Sequence, residues 1–277
     1  MSTADQTRES MTAPAATPEA GGATPRWLRE RPELVLSPLA LIVVIVLWQL
    51  VTSVWQVFPP VIMPSPRTVL DGFVELVTAT WFPQHVWATT LETVVGFAIA
   101  VATACTAAVI MDQIALVRRV VYPYMVVLQV VPSIVLAPIF IIWFGFGVQS
   151  KIVVAASTAF FVILVNTLAG LSSVPENSRL LMHSLVASRG QVFFKLTLPT
   201  ALPYVFAAFK AAVTLALIGA LVGEFITARV GLGRLMTQFS FAIRQDMMFA
   251  TVLVIGALGI ALYGLVAFIE KKAIWWR

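Results

Sequence analysis

The chain has 277 residues, of which 60% are hydrophobic and only 11% charged, and its formal net charge is +5. Soluble domains carry about 25% charged residues, so this composition excludes a water-soluble domain as the main body of the protein. One cysteine and two histidines exclude an intrachain disulfide and argue against a zinc site. We therefore expect no metal and no cofactor.

A polar tail precedes the first apolar run. Residues 1–26 are rich in Ala, Thr, Pro and Gly, a composition typical of disordered segments. The tail lacks the apolar centre of a signal peptide. We predict a disordered cytoplasmic tail over residues 1–34 and a membrane domain over residues 35–277, inserted by its own first span.

Six apolar runs follow, each close to the roughly 20 residues that a helix needs to cross a bilayer. The third run contains Pro123, Pro132 and Pro138, and proline kinks a helix, so we predict a broken span there. A short surface helix is expected to begin near Ser65. The predicted spans are residues 37–56, 86–110, 120–145, 151–171, 204–224 and 247–269.

The basic residues are divided unequally between the two ends of these spans. With the N-terminus inside the cell, thirteen of the eighteen Lys and Arg residues fall on the cytoplasmic side and five outside. This agrees with the positive-inside tendency of membrane proteins. The sequence therefore predicts an all-α membrane protein with six transmembrane helices and both termini in the cytoplasm.

A polar loop, residues 172–203, lies between the fourth and fifth predicted spans on the cytoplasmic side. Ser173 and Glu176 have the spacing of a capping box, in which two side chains satisfy the exposed donors of a helix start. Ser188 and Gln191 repeat that spacing. The two start signals predict two short helices in the loop.

We place these helices at residues 174–186 and 189–197, with Pro199 and Pro203 ending the second. The residues alone leave two interpretations open: a docking element for another protein, or a helix pair lying on lipid headgroups. The first helix has an apolar stripe at helical spacing, formed by Leu180, Leu181 and Leu185.

The loop resembles the cytoplasmic loop of permease subunits of binding-protein-dependent ABC importers. That family's motif reads Glu-Ala-Ala, three residues, Gly, nine residues, an apolar residue, one more, and Leu-Pro. Residues 196–199, LTLP, match its end. The glycine position falls on Val186 and the Glu-Ala-Ala position on residues 180–182, LLM. Valine is a departure that matters if this turn needs a positive φ, because β-branched residues are strongly disfavoured there.

The resemblance extends over residues 35–277. MPSPRTVL, VLAPIFIIWFGFGVQSK, GLGRLM and ALYGLVAFIEKK are similar to the branch that imports sulfonates, taurine, nitrate and pyrimidine precursors. The resemblance implies a type I ABC importer permease fold and a multi-pass protein of the bacterial plasma membrane. It also implies that the chain is not an enzyme, because ATP hydrolysis belongs to a separate subunit.

The partners implied by this resemblance are two copies of an ATP-binding subunit, a second permease subunit in a homodimer, an extracytoplasmic substrate-binding protein and membrane lipid. No nucleic acid is expected. The cargo would be a small organic or oxyanionic solute. The residues that would couple to the ATPase are Glu176, Leu180, Leu181, Leu185, Val186, Ala187, Ser188, Phe193, Lys195 and Pro199.

Three polar residues inside the predicted spans are candidates for the translocation path. Charged groups in spans are costly and commonly face a cavity or a partner. We favour a structural pair for Glu92, whereas for Glu224 a path role and a pair with Arg229 or Arg244 both remain open. For Asn166 we favour a structural hydrogen bond over contact with cargo.

Small residues recur along the second and fifth spans, as at Gly96, Gly219 and Gly223. Such residues let helices approach closely in lipid, and we expect them to pack within the subunit rather than to form a homodimer seam. Lys210 is expected to extend toward the headgroups.

Two other function classes stay open at this point. A secondary transporter would need no ATPase, but the sequence has no convincing internal repeat of the kind such proteins often contain. A degenerate permease that pairs with a more typical one is consistent with the altered loop motif.

Overall fold

The computed structural model describes residues 33–275, and every regular element within that range is a helix. The chain divides into two compact units, Met1–Trp48 and Gln49–Arg277. The predicted disordered tail, residues 1–34, lies outside the described residues except for its last two positions.

The described part of the first unit belongs to helix α1, Glu33–Gln49, which is apolar along nearly all of its length. With 17 residues, it is shorter than the roughly 20 residues of an untilted crossing.

Two short π-helical segments, Leu50–Val54 and Phe193–Thr197, and ten α-helices form the described part of the second unit. These helices are α2 (Pro66–Thr78), α3 (Phe82–Gln113), α4 (Ala115–Val130), α5 (Ser133–Phe144), α6 (Val148–Ser172), α7 (Glu176–Ser184), α8 (Arg189–Val192), α9 (Leu198–Thr227), α10 (Leu232–Phe241) and α11 (Gln245–Ala273).

Four helical runs are long and apolar enough to cross a membrane: α3, α6, the run Arg189–Thr227 and α11. Helices α4 and α5 give a fifth if the bent pair is one span. The sequence predicted six crossings. Four to five of them have helices of sufficient length in the described residues.

The third predicted span is bent as expected, but only near Pro132, since Pro123 and Pro138 lie inside helices α4 and α5. Helices α4 and α5 meet at an angle of 107°, across Val131 and Pro132. Proline lacks the backbone donor that would continue the first helix. Gly145 ends α5 with a φ of +79°, a conformation that glycine adopts without steric cost.

The expected surface helix is α2. Ser65 is its N-cap and accepts a hydrogen bond from the Thr68 backbone at 3.3 Å, and Pro66 occupies the first helical position. Both features are typical helix-start signals.

Helix α6 lies between α3 and α9, and small residues make this packing possible. A methyl group added at Gly96 of α3 would lie 2.6 Å from Ala155 Cβ, and one added at Gly219 of α9 would lie 2.8 Å from Ala155 Cα. Ala100, Ala104 and other small residues fill the same buried cluster. The prediction that the small-residue stripes pack within the subunit is confirmed.

Lys210 does not simply extend to the headgroups. Its Nζ lies 2.7 Å from Oε2 of Glu270, which joins α9 to α11. Both side chains are less than a quarter exposed, so this ion pair is partly shielded from solvent.

We predict opposite effects for two glycine-to-alanine substitutions. Gly219→Ala should lower the melting temperature of the purified protein in detergent, because overpacking costs about 1–3 kcal/mol. The matched control is Gly256→Ala in α11, where an added methyl group meets open space. It should raise the melting temperature slightly, because alanine exceeds glycine in helix propensity by about 1 kcal/mol. Equal effects of the two substitutions would contradict the packing described above.

Candidate functional site

The loop between α6 and α9 has one of its two predicted capping boxes. Ser188 accepts from the Gln191 backbone at 3.3 Å, and the Gln191 side chain accepts from the Ser188 backbone at 2.8 Å. The first predicted box is wrong. Helix α7 begins at Glu176 behind Pro175, without a side-chain cap, because the Ser173 hydroxyl instead donates to the Gly170 carbonyl at 2.7 Å.

The prediction that Pro199 and Pro203 end the second loop helix is also wrong. The π-helical segment Phe193–Thr197 leads directly into α9, so that Arg189–Thr227 is one helical run of 39 residues. Pro199 removes one backbone donor from this run. It lies directly after the π-helical segment, where the regular α-helical hydrogen-bond pattern is already interrupted. The second loop helix and the following span are therefore one continuous helical run.

The turn after α7 requires the left-handed conformation that the family's glycine would supply. The Val186 backbone donates to the His183 carbonyl at 2.9 Å, and the Ala187 backbone donates to the Met182 carbonyl at 3.0 Å. These two bonds define a Schellman motif with Val186 in the position usually held by glycine. Val186 has a φ of +54°, which is strained for a β-branched residue.

Four apolar side chains at this turn form an exposed knob, which we define as Leu180, Leu181, Leu185 and Val186. Their exposed fractions are 57%, 60%, 68% and 90%. Phe194, at 68% exposed, is a further apolar residue on the loop that the sequence analysis did not select.

The remaining predicted coupling residues fall into two groups. Glu176, Ser188 and Lys195 are exposed. Ala187, Phe193 and Pro199 are half-buried, and Phe193 packs against the main apolar cluster of the helices.

A cleft of about 410 Å³ separates the loop from the C-terminal end of α3. Its walls include Asp112 and Gln113 from α3 and Arg179, His183 and Arg189 from the loop. The loop therefore lies at the end of the helix bundle where α3 and α6 finish and α9 begins.

A buried polar cluster lies at the other end of the same three helices. Lys151 Nζ of α6 lies 3.2 Å from Glu92 Oε1 of α3, and both side chains are more than 90% buried. The structural pair favoured for Glu92 is thus present, and its partner is Lys151.

Glu224 of α9 caps the start of α10 instead of pairing with Arg229 or Arg244. Its carboxylate accepts from the Thr89 hydroxyl at 2.6 Å and from the Gly233 backbone. The Leu232 backbone in turn donates to the Thr89 hydroxyl oxygen at 2.8 Å. These contacts satisfy backbone donors that a helix start leaves free.

The glycines of the GLGRLM segment make this cap possible. Gly231 has a φ of +143°, and a side chain there would overlap the Glu224 carboxylate. An added methyl group at Gly233 would lie 2.8 Å from the Leu221 carbonyl oxygen. His85 Nδ1 lies 3.0 Å from the Gly231 carbonyl oxygen and fixes the preceding turn.

Arg244 is engaged elsewhere. It bonds Asp246 and Glu75, each at 2.9 Å, and so joins α2 to the start of α11. Hydrogen bonds to Asp246 and Glu75 raise the pKa of Arg244 above its usual range. Asn166 is exposed on α6, and its side-chain amide donates to the Val162 carbonyl of its own helix at 2.8 Å.

We predict strong coupling between Lys151 and Glu92. Lys151→Met should lower the free energy of unfolding by about 3–5 kcal/mol, because it leaves a buried carboxylate without its partner. The double variant Lys151→Met/Glu92→Gln should recover much of that loss, because neither remaining group is charged. Unfolding in detergent would measure both. The single variant Glu92→Gln completes the comparison. If the losses of Lys151→Met and Glu92→Gln simply added in the double variant, the pair would not be the stabilising contact.

Known proteins match this chain over most of its length. Residues 100–275 match the family described as "Binding-protein-dependent transport system inner membrane component". The formylaminopyrimidine transport permease protein ThiX of Halalkalibacterium halodurans is 33% identical over 243 residues, which are 86% of this chain and 94% of that protein. The riboflavin transport system permease protein RibX of Chloroflexus aurantiacus is 30% identical over 240 residues, 87% of this chain and 89% of that protein.

A solved structure shares the fold. An inward-facing conformation of the MetNI methionine ABC transporter matches with a TM-score of 0.58 and 20% sequence identity. The match covers 70% of this chain and 94% of that chain.

Proposed function

We propose, since this chain belongs to the family of binding-protein-dependent transport system inner membrane components, that it forms the path of a small solute through the membrane and couples to a separate ATPase through residues 172–203. Family membership makes the chain a multi-pass inner-membrane permease and not an enzyme. It also implies an ATPase subunit and a substrate-binding protein as partners.

The observation that carries the coupling proposal is the combination of an exposed knob with a continuous helical run. The knob offers apolar surface to a partner. Helix α8 behind it continues without a break into the membrane-length helix α9. A force applied to the loop by an ATPase would therefore reach the helix bundle directly.

The same proposal includes the topology of the permease and the composition of the importer. The permease would have six spans with both termini and the loop in the cytoplasm, would form a homodimer, and would bind two ATPase copies. The binding protein would approach from the opposite side. Residues 1–34 would form a tail outside the membrane domain of residues 35–277.

The relatives' names support an organic cargo. ThiX and RibX are named for the transport of a formylaminopyrimidine and of riboflavin, and a taurine permease, TauC of Escherichia coli, is 27% identical over 249 residues. We therefore propose a small organic solute. Roles of Glu92, Glu224 and Asn166 in the translocation path stay predictions. The burial of the two carboxyl groups favours a structural role for Glu92 and Glu224.

We predict that Leu185→Asp abolishes co-purification of the ATPase while leaving membrane insertion intact, because a carboxylate would enter an apolar contact. The matched control is Phe241→Asp, an 85% exposed apolar position at the end of α10, which should retain the ATPase. Normal co-purification with Leu185→Asp would contradict coupling through the knob.

We further predict opposite sidedness for two exposed serines. In a Cys105→Ala background, Ser184→Cys at the end of α7 should react with an impermeant thiol reagent only from the cytoplasm. Ser240→Cys in α10 should react only from outside. Labelling of Ser184→Cys in intact cells would place the loop on the wrong side for an ATPase.

A degenerate permease that pairs with a more typical one remains the second candidate, because Leu180 and Val186 depart from the family's motif. Uptake into vesicles that requires ATP and the binding protein, with this chain as the sole permease, would establish transport. A second, different permease in the purified complex would establish the heteromeric alternative.

A further inference from the structure

The buried polar cluster contains two carboxyl groups and one cation. Glu92 and Glu224 are 1% and 0% exposed, and Lys151 is 5% exposed. The carboxyl groups of Glu92 and Glu224 lie within hydrogen-bonding reach of each other. If both were ionised, the cluster would hold one uncompensated negative charge away from water, which is strongly unfavourable.

One carboxyl oxygen of this cluster has no donor. Glu92 Oε1 lies 3.2 Å from Lys151 Nζ, whereas Glu92 Oε2 is buried and accepts no hydrogen bond from the described part of the chain. Buried polar atoms are almost always hydrogen-bonded. Two ionised carboxylates are acceptors only and cannot bond to each other, but a single proton between them makes one of them a donor.

The other ionisable groups of this region do not compensate the second negative charge. Arg229 and Arg234 are exposed, and Arg244 is held in ion pairs that join α2 to the start of α11. The His85 ring is engaged with the backbone at the start of α10. Lys151 is the cation that acts on both carboxyl groups.

We infer that Glu92 and Glu224 share one proton, held between Glu92 Oε2 and the Glu224 carboxyl group. This proton gives Glu92 Oε2 its hydrogen bond and leaves the pair with one negative charge, which Lys151 balances. It also connects the cap of α10 to the ion pair between α3 and α6. The cluster is therefore a proton-binding site, and its existence does not depend on coupling to an ATPase.

Infrared spectroscopy of the purified permease at neutral pH tests the sharing, because a protonated carboxyl group and a carboxylate absorb at different frequencies. Glu92→Gln and Glu224→Gln should each remove one protonated carboxyl signal, since the remaining carboxylate is then balanced by Lys151. The matched control is Glu75→Gln. The Glu75 side chain is 58% exposed and paired with Arg244, so its substitution should leave the signal unchanged.

The infrared outcomes are distinct. Loss of the signal in only one of the two variants would assign the proton to that residue alone and overturn the sharing. An unchanged signal in both would overturn the proton itself. The unaltered chain provides a measurement that requires no variant to fold, because a spectrum without any protonated carboxyl signal would also overturn the inference.

The shared proton also predicts how stability depends on pH. Free glutamate has a pKa of about 4.3, so at neutral pH the folded state holds one proton more than the unfolded state, and stability is lost as the pH rises. The folding equilibrium constant of the unaltered chain, divided by that of Glu92→Gln, should fall about tenfold per pH unit between about pH 6 and pH 7. His85 is present in both proteins, so its titration cancels in the ratio.

Reversible unfolding in mixed micelles at each pH measures this ratio. A ratio that does not change with pH would overturn the inference. If Glu92→Gln does not fold, Glu224→Gln replaces it in the comparison, because it removes the same proton. Both variants should still co-purify with the ATPase, so a failure of the coupling proposal and a failure of this inference appear in different measurements.

Discussion

The close approach of α3, α6 and α9 is the constraint on which the rest of this structure depends. In lipid, no hydrophobic effect drives helices together, so contact between backbones has to come from van der Waals packing. Gly96, Gly219 and the alanines around Ala155 provide that contact by offering no side chain that would hold the helices apart. Once the three helices touch, the positions of both ends of this helix bundle are set. One end carries the buried polar cluster, and the other carries the loop between α6 and α9.

At one end of these helices charged side chains are buried, whereas at the other end apolar side chains are exposed. Glu92, Lys151 and Glu224 are buried, and they make an ion pair and hydrogen bonds with a hydroxyl group and a backbone donor from neighbouring elements. The loop between α6 and α9 instead exposes apolar side chains to its surroundings. The first arrangement holds helices together, whereas the second presents surface to another molecule, and this contrast supports the assignment of coupling to the loop.

The sequence predicted several local features, although the Ser173–Glu176 capping box was wrong, and it missed most long-range contacts. Some local signals marked helix boundaries correctly, because they act within a few residues. They are Ser65, Pro132 and the Ser188–Gln191 box. Pro199 misled because the helical run continues through it, directly after the π-helical segment Phe193–Thr197. Lys151 lies 59 residues from its partner Glu92, and no local pattern joins them. Thr89 and Gly231 likewise gain their roles only when α3 and α10 meet around Glu224.

The helical run from Arg189 to Thr227 has a mechanical consequence. Its 39 residues, at 1.5 Å each, span about 58 Å. A tilt of about 5° about one end would displace the other by about 5 Å, close to the pitch of one helical turn. A small tilt of this run at one side of the membrane therefore produces a displacement of several ångströms at the opposite side. That displacement is comparable with the size of the small molecules that such a bundle has to admit or exclude.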